Sequence, residues 1–382
     1  MRVFINAATL KVGGGKSVAI NFLKELSLIL AEIKTDSAVA VVPNYKDYLS
    51  LNSPFLKLIP VPSWLQNPIM RFLIMDFWIM KQLKASGANI IYSMGNIAIP
   101  EKHIPQVLLF HNPHMIYPES PIWNLMHWKD AIYNRISVYL FKKRLKYADL
   151  FLVQTETAGT RLKKYYGIKN FIITPNAISL QPKAENLIPH NFSPNPNLIY
   201  LLCLSHYYPH KNLESFIELG KKIKEQKLPF RIIITLDVKQ HPAAKILLQK
   251  IENEGLNDVL LNAGALKMSD VPQWYNATQA LILPTLLESF SGTYVEALCY
   301  ERPVFTSNLD FATEVCGEAA YYFNPMDPNN ILDVIKNAFD NPQKMAEKVA
   351  IGKTKVNEDF TWKHVAHKMF DQLALTCIKG NK

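Results

Sequence analysis

Short apolar runs alternate with longer amphipathic stretches along nearly the whole chain. The runs Val3–Asn6, Ala38–Val42, Asn89–Tyr92, Gln106–Phe110, Leu150–Val153 and Phe171–Thr174 are rich in aliphatic and aromatic residues. Their continuous apolar character predicts strands buried on both faces. Between several of them the apolar positions recur at helical spacing, as over Ser17–Leu30 and Ile132–Lys146. From Pro175 to Pro196 the pattern lapses into a Pro- and Asn-rich polar stretch, which predicts a linker. It then restarts with strands at Leu198–Leu204, Arg231–Thr235, Val259–Asn262, Ala280–Leu283 and Pro303–Thr306. Helical stretches separate these at Asn212–Lys224, Ala243–Glu254, Val271–Asn276 and Gly292–Cys299. Such alternation predicts the α/β class, with two Rossmann-like, doubly wound domains. Ligands of doubly wound sheets bind beyond the carboxyl ends of the strands. Two such domains facing across a cleft suit a donor on one side and an acceptor on the other.

Composition narrows the picture. A chain of 382 residues has room for two domains, and 49% hydrophobic residues suffice for large cores. Cys203, Cys299, Cys316 and Cys377 stand far apart, with no spacing that suggests a zinc site or a redox pair. Scattered single cysteines fit a reducing compartment. The opening strand is too short for the apolar core of a signal peptide, and the most apolar later run, Ile69–Met80, is interrupted by Arg71 and Asp76. The expectation is a soluble, cytoplasmic protein. The net charge of +10 favours anionic partners: nucleotide diphosphates, a lipid-phosphate acceptor or an acidic membrane surface. Nucleic acid is not expected, because the basic residues form no recognisable nucleic-acid-binding motif.

Two motifs carry candidate chemistry. Val3–Asn6 is followed by Gly13-Gly14-Gly15 and then by a helix expected to begin near Ser17. A strand, a glycine turn and a helix N-terminus make an anion site, although a tight turn without a ligand has the same signature. A Walker A loop is excluded because its first glycine falls on Leu10, and GxGxxG fails at Val18. In the second half, strand Leu281–Pro284 leads into a loop with Glu288, and Glu296 stands about one turn into the next helix. Carboxylates suit sugar and ribose hydroxyls, and the N–H groups of Phe290, Ser291, Gly292 and Thr293 can face an anion. Capping by Glu288 and solvation of Glu296 would satisfy the same pattern.

With Phe290 and the small pair Ser291-Gly292 between them, Glu288 and Glu296 resemble the E-x7-E motif of retaining GT-B glycosyltransferases, family four (group 1). Other segments agree in order: the Gly13–Gly15 turn, His111-Asn112 after a strand, Thr174-Pro175-Asn176, Lys211, Glu314-Val315-Cys316-Gly317 and Phe360-Thr361-Trp362. Two departures stand out. Ala177 occupies a position where the family usually has Gly, and His206 one where it usually has Arg.

The resemblance implies an acceptor-side domain over 1–175, a linker over 176–197, a nucleotide-sugar domain over 198–357 and a helix over 358–382 that returns to the first domain. It implies a hexosyltransferase acting in cell-surface glycan biosynthesis. Such an enzyme moves a sugar from a UDP- or GDP-sugar to a polysaccharide or lipid-linked glycan, with retention. It implies no cofactor and no metal, and the chain has no Asp-x-Asp triplet. Lys211 and His206 would face the donor diphosphate, together with the backbone of Gly14 and Gly15. Glu288 would contact the donor sugar, Glu296 the ribose, and His111 the reacting face. His114 reads as a structural histidine. The mixed basic and aromatic segments Trp64–Lys84 and Ile122–Lys146 suit either core helices or a peripheral contact with membrane. The alternatives to an enzyme of this kind are a non-catalytic sugar-nucleotide-binding partner subunit and a nucleotide-sugar epimerase.

Overall fold

The first seven strands are β1 (Arg2–Asn6), β2 (Ser37–Val42), β3 (Leu56–Pro60), β4 (Ile90–Ser93), β5 (Gln106–Leu109), β6 (Leu150–Val153) and β7 (Phe171–Ile173). They lie side by side in the order β3-β2-β1-β4-β5-β6-β7, every pair parallel. This computed structural model describes residues 1–66, 68–178, 188–190, 192–356 and 360–380, with the backbone alone at 66 and 68–73. The side chain of Arg71 and the linker residues 179–187 and 191 therefore lie outside the description.

Period-two alternation explains how this sheet is buried. Val3, Ile5 and Ala7 face one core, while Phe4 and Ala8 face another. The first core is covered by α1 (Gly13–Ile33), whose buried Val18, Ala19, Phe22, Leu23, Leu26, Ile29 and Leu30 form one helical stripe. Next come the short α2 (Lys46–Leu49) and α3 (Pro68–Ser86), and Met75, Ile79 and Leu83 of α3 cover the second core. After β5 the chain forms α4 (Ile122–Leu125), α5 (Trp128–Arg144) and, beyond β6, α6 (Glu156–Tyr166). Thr155 caps α6 through its hydroxyl, which accepts from the Ala158 N–H, and Gly167 closes it at φ 65°.

The remaining strands are β8 (Ile199–Cys203), β9 (Phe230–Ile234), β10 (Leu260–Asn262), β11 (Ala280–Leu283), β12 (Val304–Ser307) and β13 (Ala320–Phe323). They form a second parallel sheet in the order β10-β9-β8-β11-β12-β13. Every residue of β11 and β12 is buried. The connecting helices are α7 (Ser215–Glu225), α8 (Pro242–Asn253), α9 (Val271–Ala277), α10 (Gly292–Cys299), α11 (Asp310–Cys316), α12 (Pro328–Phe339) and α13 (Pro342–Lys355). Last comes α14 (Trp362–Gly380), whose Val365, Ala366, Met369, Phe370 and Leu373 join the first core beside α1.

Contacts divide the chain into two units. One comprises Met1–Pro118, Trp128–Ala177 and Glu358–Lys382, the other Glu119–His127 and Ile178–Asn357. Glu119–His127, which the sequence reading places in the first domain, groups with the second, because α4 packs on the turn Pro209–Lys211 and Ile122 is fully buried. Three other details differ from expectation. Helix α1 begins at Gly13 and not near Ser17, so the glycines form its first turn. The edge strands β3 and β13 are additional. Their exposed or half-buried positions, such as Lys57 and Tyr321, break the apolar run by which the central strands are recognised. Among the described residues, no helix is long and apolar enough to cross a membrane.

Candidate functional site

In each sheet the strand order reverses between two neighbours, β1/β4 in the first and β8/β11 in the second. Crevices at the carboxyl ends of such strands are where doubly wound sheets bind ligands. The candidate residues of each unit gather there.

In the first unit β1 leads through Ala7–Val12 into α1. Gly13 takes φ 63°, a left-handed conformation natural only to glycine, and turns the chain into the helix. No side chain caps α1, and its first turn has no acidic residue. Its first N–H groups, together with the positive end of the helix dipole, suit an anion. Around Gly14 there is open space for a side chain, whereas a Cβ on Gly15 would lie 3.1 Å from Leu10 Cδ2 and 3.4 Å from His111 Nε2. Gly15 thus leaves room chiefly for the Leu10 side chain, with the His111 ring at ordinary contact distance.

Asn96, in the loop after β4, orients His111. The His111 backbone N–H donates to Asn96 Oδ1 at 2.6 Å, which leaves Asn96 Nδ2 facing His111 Nε2 at 3.1 Å. An amide NH2 can only donate, so Nε2 is the acceptor and the ring proton is assigned to Nδ1. Burial pushes the His111 pKa down to about 4, so the imidazole is neutral at physiological pH. His114 is likewise pushed down to about 4 by burial and bonds to Asn112, as expected of a structural histidine.

The second unit brings Lys211 and Glu288 together, although 77 positions separate them in sequence. Lys211 ends the turn after β8, Glu288 follows β11, and their side chains form an ion pair with only 12% and 10% exposure. One backbone bond and one side-chain amide hold the loops in register. The Leu286 N–H donates to the His210 carbonyl at 2.7 Å. Asn212 Nδ2 donates to the carbonyls of Pro284 at 3.2 Å and Pro325 at 2.9 Å. Thr285 Oγ1 lies 3.1 Å from the His210 carbonyl and 3.3 Å from Glu288 Oε1. The charged pair therefore sits on pinned backbone.

Beside it, α10 starts at Gly292 with Ser291 in the capping position but no side-chain cap bond. Phe290 and Ser291 are buried, and Gly292 and Thr293 half-buried. Glu296 Oε2 accepts from the Tyr275 hydroxyl at 3.3 Å, and burial raises its pKa despite that bond. His206 is half-buried. Burial lowers its pKa and Asp237 opposes the shift, so a standing charge in place of the usual arginine is disfavoured. Its ring is 5.1 Å from that of Tyr208, which stacks on His210 at 5.3 Å.

Lys211, Glu288, His206, Phe290, Ser291, Gly292, Thr293 and Glu296 thus belong to one unit, and Gly14, Gly15 and His111 to the other. Asn96, Thr285, Asn212 and Tyr275 complete the two clusters without forming part of any motif. Asn96 and Asn212 carry a local hint, as a residue type that tolerates their left-handed φ of 66° and 54°.

Residues 186–355 match the family model described as "Glycosyl transferases group 1". The chain is 28% identical over 138 residues to the O-antigen chain mannosyltransferase RfbU of Salmonella typhimurium, a match covering 36% of this chain and 38% of that protein. Its fold resembles sucrose-phosphate synthase from Thermosynechococcus elongatus, with a TM-score of 0.75 and 14% identity over 98% of both chains. It also resembles Anabaena HepE in complex with UDP-glucose, with a TM-score of 0.72 and 16% identity over 98% of this chain and 100% of that one. The fold is GT-B, with two Rossmann-like units.

Proposed function

We propose that this chain, with a group 1 glycosyl transferase module in its second unit, transfers a hexose from a UDP- or GDP-sugar to a polysaccharide or lipid-linked glycan. The transfer retains anomeric configuration and uses no metal ion. The observation that carries the proposal is the Lys211–Glu288 pair, held nearly buried at the reversal point of the second sheet beside the uncapped start of α10. An ammonium and a helix N-terminus together neutralise the charge that grows on a departing diphosphate, the task a metal ion otherwise performs. Lys211 has three N–H donors, enough to hold Glu288 and a phosphate oxygen together. Glu288 then orients donor-sugar hydroxyls, and Glu296, shared with Tyr275, accepts from the ribose.

Retention follows from attack on the face that the diphosphate leaves, with a leaving oxygen taking the acceptor proton. This route needs no carboxylate nucleophile. In it a neutral His111 lines the reacting face near the donor sugar, and the backbone N–H groups of Gly14 and Gly15 are offered to phosphate oxygens. The name of the Salmonella relative makes mannose the first donor sugar to test, and the UDP-glucose bound by HepE makes glucose the second. The reaction is assigned to the cytoplasmic side of a membrane that carries the acceptor.

The test is thermal stabilisation by UDP, GDP and their sugar conjugates, with and without a chelator. A bound ligand raises apparent stability by about RT ln(1 + [L]/Kd). Stabilisation by one nucleotide family, unchanged by chelator, is the expected result. Glu288→Gln should then keep nucleotide binding but lower turnover by about 10²–10³. No stabilisation by any nucleotide at millimolar concentration, or loss of it with chelator, would overturn the proposal.

A further inference from the structure

The edge of the first sheet where β5, β6 and β7 begin is the one remote from Gly13–Gly15, Asn96 and His111, all of which follow strand ends. Here a groove of about 630 Å3 opens between the strand starts and α14. Its volume falls in the range of small-molecule sites, roughly 300–1,000 Å3. Phe171, Ile172 and Leu375 give it an apolar lining, and Lys163, Lys169 and Lys379 place three ammonium groups along it. None of these lysines is in an ion pair with a described residue. Asp149 also lines the groove, but its Oδ2 accepts from the Gln106 N–H at 2.8 Å and so ties β5 to β6. The end of α5 adds Lys142 and Lys143 to the same edge of the sheet, and Lys146 follows before β6.

A simpler use for these lysines is to offset the negative ends of α6 and α14. That accounts for Lys163 and Lys379, which stand in the last turns of those helices. It leaves Lys169 unexplained, since Lys169 follows the Gly167 cap and precedes β7. It also leaves unexplained an apolar lining exposed beside concentrated positive charge. Half-buried Phe171 and Ile172 and exposed Leu375 can cover a hydrocarbon, and ammonium groups can hold a phosphate.

We propose that this groove binds an amphiphile with a net-anionic phosphate head, with the phosphate on Lys163, Lys169 and Lys379 and the apolar portion on Phe171, Ile172 and Leu375. The site is separate from the sugar-transfer chemistry and does not rest on it. A lipid headgroup and a soluble phosphate share the anionic chemistry, and the experiment separates them.

Site-resolved lysine acetylation of the whole chain, read by mass spectrometry, tests the proposal. The probes are a short-chain phosphatidic acid below its micelle threshold, the phosphocholine lipid of equal chain length, and inorganic phosphate. Phosphatidic acid should slow labelling of Lys163, Lys169 and Lys379 by about tenfold, an effect that weakens with salt. Phosphocholine and inorganic phosphate at the same concentration should protect far less. Lys211 reports the nucleotide site in the same spectrum, so phosphate captured there is told apart. Lys169→Glu, which lies off both helices, should weaken binding of a fluorescent phosphatidic acid about tenfold without moving the melting temperature. Absence of protection by phosphatidic acid would overturn the proposal. So would equal protection by the zwitterionic phosphocholine, which means that net negative charge is not recognised, or by inorganic phosphate, which means a plain anion patch.

Discussion

Lys211 meets Glu288 because Asn212 and the His210 carbonyl pin one loop to the other. The pair is nearly buried, so removing one partner strands the other charge in a poor solvent. Lys211→Met should therefore lower kcat/KM by about 10²–10³ and also cost about 3–5 kcal/mol of stability, read by steady-state kinetics and denaturant titration. His206 behaves differently. It is held neutral by burial, and contact with a diphosphate would favour its charged form, so donor binding takes up a proton. Affinity for the sugar nucleotide, whose diphosphate does not titrate near neutrality, should then be highest at low pH. It should fall as pH rises through the His206 pKa of the complex, a trend that calorimetry from pH 5.5 to 8.5 would show. His206→Arg should flatten that profile and tighten binding at pH 8. The glycines of α1 also separate by role. Gly14→Ala meets open space, whereas Gly15→Ala presses on Leu10 and fills the space up to the His111 ring. The second substitution should lower turnover more than the first, with both chains still folded by circular dichroism. The sequence patterns reach Glu288, Glu296, Lys211 and His111 because those residues stand at fixed offsets from strand ends. They cannot reach Asn96 or Tyr275, whose roles come from partners 15 and 21 positions away in the chain.

Among the elements, the central strands were legible because burial on both faces leaves them mostly apolar. Of the four edge strands β7 and β10 were legible too, but Lys57 and the half-buried Tyr321 and Tyr322 make β3 and β13 look like loops. The start of α1 was hidden for a related reason. Three glycines argue against a helix by propensity, and only Gly13 needs its left-handed φ. Helix α14 shows what a stripe of apolar residues at helical spacing accomplishes when its partner is remote. Its Met369 receives the Tyr92 hydroxyl at 3.4 Å, and Tyr92 meets Phe22 of α1 edge-on at 5.1 Å. Leu373→Ala, in a fully buried position of this layer, should destabilise the first unit by about 2–5 kcal/mol, visible as a lowered first transition in a calorimetric scan.

At the scale of the whole molecule, a net charge of +10 and an uncovered face of α5 bear on where the protein works. Trp128 is 62% exposed and Tyr139 58%, and Ile132, Tyr133 and Ile136 are exposed between them, interspersed with Lys129, Arg135, Lys142 and Lys143. Aromatic and basic side chains on one helix match the interface of an anionic bilayer. Co-sedimentation with vesicles rich in phosphatidylglycerol should be strong at low salt and weak at high salt, where surface charges are screened beyond about 3 Å at 1 M. The double variant Trp128→Ser/Tyr139→Ser should abolish it without altering nucleotide binding. The division of the chain has a further consequence, one that belongs to synthesis. The stripe on α1 is made well before α14, which covers part of the same core. Until α14 is made the first unit presents an unfinished core, while the second unit already has all its strands and can close earlier. Ribosome-bound chains halted before Trp362 should be cut by protease within the first unit and spared in the second, and the waiting surface of α1 is where a holding chaperone would engage.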